Sequence, residues 1–454
     1  MLSVLLLTAL AAGPATAAGP NAGPRDSETT TPIKHVVSLM QENHSFDNYF
    51  GTYPGADGIP AGTCMPRDPA RPAAGCVRPF HLGNVPISDL GHNRTVFEHE
   101  RNGGKMDGFV SAFTRQGVQN PTQAMGHYDD RDLPWYWNVA DQYVLFDRHF
   151  TSAHGGSVKN HMYWVAAQQG LSATTAEVMP RDGFDVPTIF DRLQASGVSW
   201  KFYVQNYDPT ITFRNRAQGD RGAQVVWVPL LAFPRFLDSP ELFSHIVPIE
   251  EYYQDLANGT LPAVSYIAPS GASEHPPGSI AAGEAFVRTL VTSLMRSSAW
   301  STSAFMWTYD DWGGWYDHVA PVEVDAFGYG FRAPMLLVSP YARRGVIDHN
   351  TADFTSQLAF IEKNWRLAPL SSRDAAAYPL TDAFDFASPP RPPEVISAVR
   401  HPAVLAPPRR GVVYASYASA VALFVLVVVL AARRGRADLP ALGPKRPIAA
   451  GGEP

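Results

Sequence analysis

"SAFMWTYDDWGGWYDHV", residues 303–319, joins a compact apolar and aromatic run to a cluster of acids with no lysine or arginine among them. The run 303–309 predicts a buried strand, and the acids begin where it ends. Asp and Gly are also ordinary residues of a surface turn. In open α/β sheets, however, ligands bind just beyond the carboxyl ends of strands. Adjacent Asp310 and Asp311 would repel each other there unless a cation or a shared proton held them together. Hard carboxylate oxygens suit a divalent cation.

Further apolar runs lie outward from this stretch: "IKHVVSLMQ" (33–41), "SWKFYVQ" (199–205), "AVSYIA" (263–268) and "APMLLVSP" (333–340). Helical patterns separate them at 186–197, 285–297 and 353–365. Strands alternating with helices predict an α/β domain with a mostly parallel sheet covered on both faces. The first strand runs into "ENHSFDNYFG" (42–51), so Glu42 and Asn43 occupy its carboxyl end as Asp310 and Asp311 occupy theirs. Two strand ends thus offer oxygen ligands.

A nucleophile is offered by "TSAHGGSVKNHMYWVAAQQ" (151–169), where Ser157 follows two glycines at the start of a helical pattern. Serine is a good helix cap. The same place presents free N–H groups and the positive end of the helix dipole to an anion, and Asn160, one turn on, could donate to the same oxyanion. Contact with a metal would lower the hydroxyl's pKa. His92, His275 and His318, with Lys105 in "NGGKMDGF", form a set of donors and acids suited to a phosphate.

The ends of the chain suggest its placement. Residues 1–18 have the apolar core and small-residue exit of a secretory signal peptide. About twenty uncharged residues at 412–432 are long enough to span a bilayer, and Arg433, Arg434 and Arg436 follow them. The positive-inside rule then puts the tail 433–454 in the cytoplasm and the catalytic domain outside, a single-pass cell-membrane protein. The soluble domain is expected over 32–386, with 387–411 a Pro-rich stalk. In an exported chain, Cys64 and Cys76 are expected to close a disulfide. A net charge of −6 gives no basic footprint for nucleic acid.

Five stretches, "QENHSFDNYFG", "GGKMDGF", "GGSVKNHMYW", "EHPPGS…GE" and "TYDDWGGWYDHVAP", resemble in order and spacing the motifs of the bacterial and plant phospholipase C and acid phosphatase family. The resemblance implies an alkaline-phosphatase-like three-layer α/β/α sandwich. It implies a divalent metal, whether Mg, Ca, Mn or Zn, held by Glu42, Asn43, Ser157, Asp310 and Asp311, with Ser157 also the nucleophile that becomes phosphorylated. His92, His275 and His318 fall on the family's histidines, expected to contact phosphate or protonate the leaving oxygen. Asn160, Lys105 and His161 are expected to bind substrate. Lys159-Asn160-His161 departs from the usual Pro-Asn-Arg or Pro-Asn-His, and His44 stands where Arg is common. The expected activity is cleavage of a phosphodiester, with a phospholipid or small phosphate ester as substrate. A phosphomonoesterase and a non-catalytic ligand-binding ectodomain are the alternatives. Trp312, Trp315 and Tyr316 are expected near the pocket mouth, where a choline group would favour an aromatic cage.

Overall fold

The computed structural model describes residues 23, 25–170, 179–215, 223–400 and 410–437. Two compact units divide the chain after Arg400. The signal peptide at 1–18 and most of the tail at 433–454 lie outside the described residues.

Eight strands build the central sheet: β1 (His35–Gln41), β2 (Val144–Phe146), β3 (Trp200–Val204), β4 (Ile246–Pro248), β5 (Val264–Ala268), β6 (Ser303–Tyr309), β7 (Met335–Val338) and β8 (Val346–Asp348). Their spatial order is β8-β2-β7-β6-β1-β5-β3-β4. All five strands expected from apolar runs are present. β5, β6 and β7 are buried at every residue, which is why their sequences show no alternation of apolar and polar positions. The sheet is parallel except around β7, which runs antiparallel to both β6 and β2.

Helices cover both faces. On one, α2 (Ser157–Ala166) and α4 (Phe354–Trp365) meet β1 through Ser38, whose hydroxyl donates to Gln357 (2.6 Å) and accepts from the Trp164 indole (2.7 Å). On the other, α1 (Pro134–Gln142) stacks Trp135 against Trp307 of β6, with ring centroids 6.0 Å apart. α3 (Ile280–Arg296) joins α1 there, where Glu284 accepts the Trp135 N–H (2.8 Å). The result is a three-layer α/β/α arrangement. A second apolar cluster around Phe97, Phe109, Trp312 and Phe331 supports the loops above the sheet. Beside it the expected disulfide closes between Cys64 and Cys76, with a Cα separation of 5.4 Å.

The domain is wider than 32–386. On the amino side, the Asp26 carboxylate accepts from Ser199, and Thr31 bonds Asn364. On the carboxyl side, the proline-rich segment beyond 387 lies on the domain as far as residue 400. There Arg391 bonds the carbonyls of Gln142 and Ala342 and covers the Tyr143 ring at 4.5 Å. Arg400 pairs with Asp130 and Asp141. Extended chain without a sheet partner is held here by side-chain donors.

The second unit contains α5 (Arg410–Ala437). Its large apolar side chains, among them Tyr417, Val421, Phe424 and Leu426, are exposed. Among the described residues no helix is long and apolar enough to cross a membrane, so the structure does not support the expected span at 412–432. The described side chains of α5 form an unbroken run only over 417–431.

Candidate active site

β1 and β6 pair in parallel from His35↔Ser303 to Gln41↔Tyr309 and therefore end level. The residues after each strand emerge side by side, and the Asn43 N–H donates to Asp310 Oδ1 (3.0 Å). Asn43 is left-handed, with φ 63°, a conformation Asn tolerates better than most residues. Gly313 permits this close turn, because a Cβ there would lie 2.2 Å from the Asn43 carbonyl oxygen.

Glu42, Asn43, Asp310 and Asp311 are all buried. Among the described residues, Asn43 Oδ1 and Nδ2 and Asp310 Oδ2 have no hydrogen-bond partner. Each buried orphan costs about 1–3 kcal/mol if nothing fills the gap. Burial, then the nearby Asp310 and Asp311 charges, push the Glu42 carboxyl well above its ordinary pKa.

His161, expected at the substrate, lies instead among these carboxylates. Its Nδ1 donates to the Ser157 carbonyl (2.9 Å), which leaves Nε2 facing Glu42 Oε1 at 3.3 Å. Burial lowers its pKa despite Asp310. A neutral ring thus turns a lone pair toward a carboxylate oxygen, a contact that a proton or a cation must relieve. Donor atoms of Glu42, His161 and Asp310 lie within 4.8 Å of one another, a set that could hold a metal ion. Carboxylate, amide oxygen and imidazole together fit a divalent cation.

Ser157 is the first residue of α2, preceded by Gly155 (φ 84°) and Gly156 (φ 90°), whose left-handed backbone favours glycine. Gly156 occupies the capping position, where no side chain caps the helix. The loop is fastened by Asn160, whose Oδ1 accepts the N–H groups of Ser152 and Ala153, both at 3.0 Å, while Nδ2 donates to Gly156 (3.2 Å). With those groups engaged, Asn160 shapes the turn that carries Ser157, while the second N–H of its amide is not used by the Gly156 bond.

Ser157 lines a cavity of about 400 Å³ with Glu42, His92, Asn93 and His275. Val158, Ala223, Val226 and Trp227 also line it. His92 donates from Nδ1 to the Leu90 carbonyl (2.7 Å), and its Nε2 lies 3.9 Å from Asp311. Burial opposes its charge, yet Asp311 and Asp89 bring its pKa up to about 9. The His92 and His275 rings stand 6.1 Å apart.

Other expected site residues lie elsewhere. His318 is bound between carboxylates, with Nδ1 2.7 Å from Asp47 and Nε2 3.2 Å from Asp57, and it does not line the cavity. Lys105 lines a separate cleft with Glu98, His99 and Arg115. Trp312, Trp315 and Tyr316 are buried. Trp312 donates to Glu100 (2.7 Å) and Trp315 stacks near His44, so the aromatic ring at the cavity is Trp227 instead. Nothing in the apolar stretch around Trp227 marks it in the sequence. His161, by contrast, stands four residues after Ser157, the spacing that puts two side chains on one helix face.

A hydroxyl at a helix start, two histidines and buried oxygen ligands at parallel strand ends have the make-up of a metal-assisted ester hydrolase site. Residues 33–368 match the phosphoesterase family model. The chain belongs to the phosphoesterase family and is a hydrolase acting on phosphoric esters. It is 30% identical over 440 residues to phospholipase C B of Mycobacterium tuberculosis, covering 84% of this chain and 83% of that protein. It is also 28% identical over 400 residues to non-specific phospholipase C1 of Arabidopsis thaliana, covering 79% of this chain and 72% of the relative. Similar solved structures include a protein in the alkaline phosphatase superfamily from Vibrio parahaemolyticus, with a TM-score of 0.36 and 11% identity over 75% of this chain and 68% of that one.

Proposed function

We propose that the protein cleaves a phosphodiester at a phospholipid head group through a phosphoserine formed on Ser157. The observation that carries this reading is the joint placement of Ser157, Glu42, His92 and His275 around one cavity, next to buried ligand oxygens that lack protein partners. Its relatives named as phospholipases C support the lipid substrate, and the apolar side chains of Val226 and Trp227 offer surface for a substrate's hydrocarbon part.

Ser157 gives up its hydroxyl proton to solvent, and Oγ attacks phosphorus as the bond to the leaving alcohol breaks, giving a covalent phosphoserine. His92, whose pKa the Asp311 and Asp89 charges raise against burial, gives its Nε2 proton to the leaving oxygen. Water then attacks phosphorus with the neutral imidazole accepting its proton, the bond to Ser157 Oγ breaks, and Oγ takes a proton back from solvent. Glu42, Asn43, Ser157, Asp310 and Asp311 would hold a divalent cation, with His161 beside them. Such an ion supplies Lewis acidity that favours the serine alkoxide and draws off phosphoryl charge.

The deciding measurement compares kcat/KM for a phosphocholine diester and for an aryl phosphate monoester on one preparation. A tenfold preference for the monoester, about 1.4 kcal/mol in transition-state binding, would replace the phospholipase reading by an acid phosphatase. Ser157→Ala should lose most turnover while keeping the fold, and a folded variant of near-parental activity removes Ser157 from the chemistry.

The apolar run 412–432 and the arginines after it support a further part of the proposal: the domain is tethered to the cell membrane and faces outward. A cytoplasmic reporter fused after Arg436 should be active, and an inactive fusion reverses the orientation.

A further inference from the structure

Glu274 precedes the cavity histidine His275 and is itself buried, far from any role as a ligand in the site above. Its carboxylate accepts four hydrogen bonds. Gln41 Nε2 (3.0 Å) and the Tyr136 hydroxyl (2.6 Å) reach Oε1, while the hydroxyls of Tyr49 (2.5 Å) and Tyr309 (3.0 Å) reach Oε2. Four is about the number of lone-pair sites a carboxylate offers. Two of the donors occupy telling positions. Gln41 is the last residue of β1, directly before Glu42 and Asn43, and Tyr309 is the last of β6, directly before Asp310 and Asp311.

The backbone at Glu274 is equally constrained. Its φ is 67°, an uncommon conformation for a non-glycine residue. Its carbonyl lies 3.1 Å from His44 Nε2, and the neighbouring Ser273 carbonyl accepts the Glu42 N–H (2.9 Å). Room for the side chain exists because α3 has glycine at 283, where a Cβ would lie 2.0 Å from Glu274 Cγ.

We propose that Glu274 is a positioning residue for the phosphoesterase reaction, one buried carboxylate that sets the ends of β1 and β6 and the His275 loop relative to one another. The inference rests on the ligand assignment made above for Glu42, Asn43, Asp310 and Asp311. Ligand residues held by outer hydrogen bonds lose metal affinity or activity when those partners are removed, by about 10–100-fold in characterised sites.

The test measures Mn²⁺ binding to the chelator-treated full-length chain by the free-ion electron paramagnetic resonance signal, together with kcat, KM and Tm. Tyr309→Phe and Gln41→Leu, which each remove one donor to Glu274 and no proposed ligand atom, should each weaken Mn²⁺ binding and lower kcat by about tenfold with little change in KM. Glu274→Ala should lose more, and Glu274→Gln should recover part, since tyrosine hydroxyls can donate to or accept from an amide. Gly283→Ala, which displaces the carboxylate without removing a donor, should act in the same direction. If these variants melt earlier but, while folded, keep kcat and Mn²⁺ affinity within twofold of the parent, Glu274 is merely structural and the inference is overturned. Asp310→Asn separates the two readings. Unchanged Mn²⁺ affinity in that variant, or no binding by the parent, rejects the ligand assignment and this inference with it. Loss in Asp310→Asn without loss in the Glu274 series rejects the positioning role alone.

Discussion

Asn160 illustrates how a single side chain can matter by shaping the turn that carries Ser157. Replacing it by alanine leaves the buried N–H groups of Ser152 and Ala153 without their acceptor, a loss of about 1–3 kcal/mol. Asn160→Ala should therefore melt earlier and turn over more slowly, and an unchanged melting curve would show that the loop holds itself. Glu42→Gln should lower metal content and activity together, since oxygen charge sets affinity for a hard cation; elemental analysis against the parent is the check. At this scale the places of Glu42, Asp310 and Ser157 were legible, because they follow apolar runs or open a helical pattern. Trp227 was not, because the apolar stretch around it looks the same whether it lines a cavity or a core. Lys105 and His318 were misplaced for a related reason: neighbours in sequence take different directions once turns intervene, and Gly313 and Gly314, both with positive φ, separate Asp311 from His318 by such a turn.

Among elements, the loop after β6 carries its third aspartate, Asp317, into a buried ionic group. Arg332 donates to Asp317 (2.9 Å) and Asp47 (3.1 Å), and also to the carbonyls of Asp57 and Asp147, both at 2.7 Å. Arg332→Leu would strand two buried carboxylates and should destabilise the fold by about 3–5 kcal/mol, readable in a urea titration. His318 adds a pH dependence. Burial works against its charge, but the Asp47 hydrogen bond and the Asp47 and Asp317 charges raise its pKa above the ordinary value. The folded state then holds the proton more tightly than the unfolded chain. Its contribution is complete below about pH 6.5 and fades as pH rises through the folded pKa. His318→Gln should flatten this part of the stability profile, and an identical slope in parent and variant rules it out. The five longer strands were legible because each is a sustained apolar run. β2, β4 and β8 have three residues apiece, too short to show a period, and the reversed direction of β7 is a property of connections that composition does not record.

For the whole molecule, the arginine contacts beyond 387 define where the domain can be cut. A chain ending after Arg400 keeps Arg391 on Tyr143 and Arg400 on Asp130 and Asp141. It should be active. A chain ending at Ala387 loses those contacts and should melt lower by about 5 °C; equal melting temperatures would mean that the segment merely rests on the surface.

The pairing of β1 also has a consequence in time. Its two neighbours, 264–268 and 303–309, are made long after it, and at about 5–20 residues per second roughly a quarter of a minute to a minute passes between synthesis of Gln41 and of Tyr309. Until residue 268 has been made, this seven-residue strand has neither of its sheet neighbours, and the second arrives only with residue 309. Glu42 meanwhile waits for Asp310. On the proposed ligand set the hydrolase should be silent while it is being made, and a chain interrupted before residue 310 should show no partial activity.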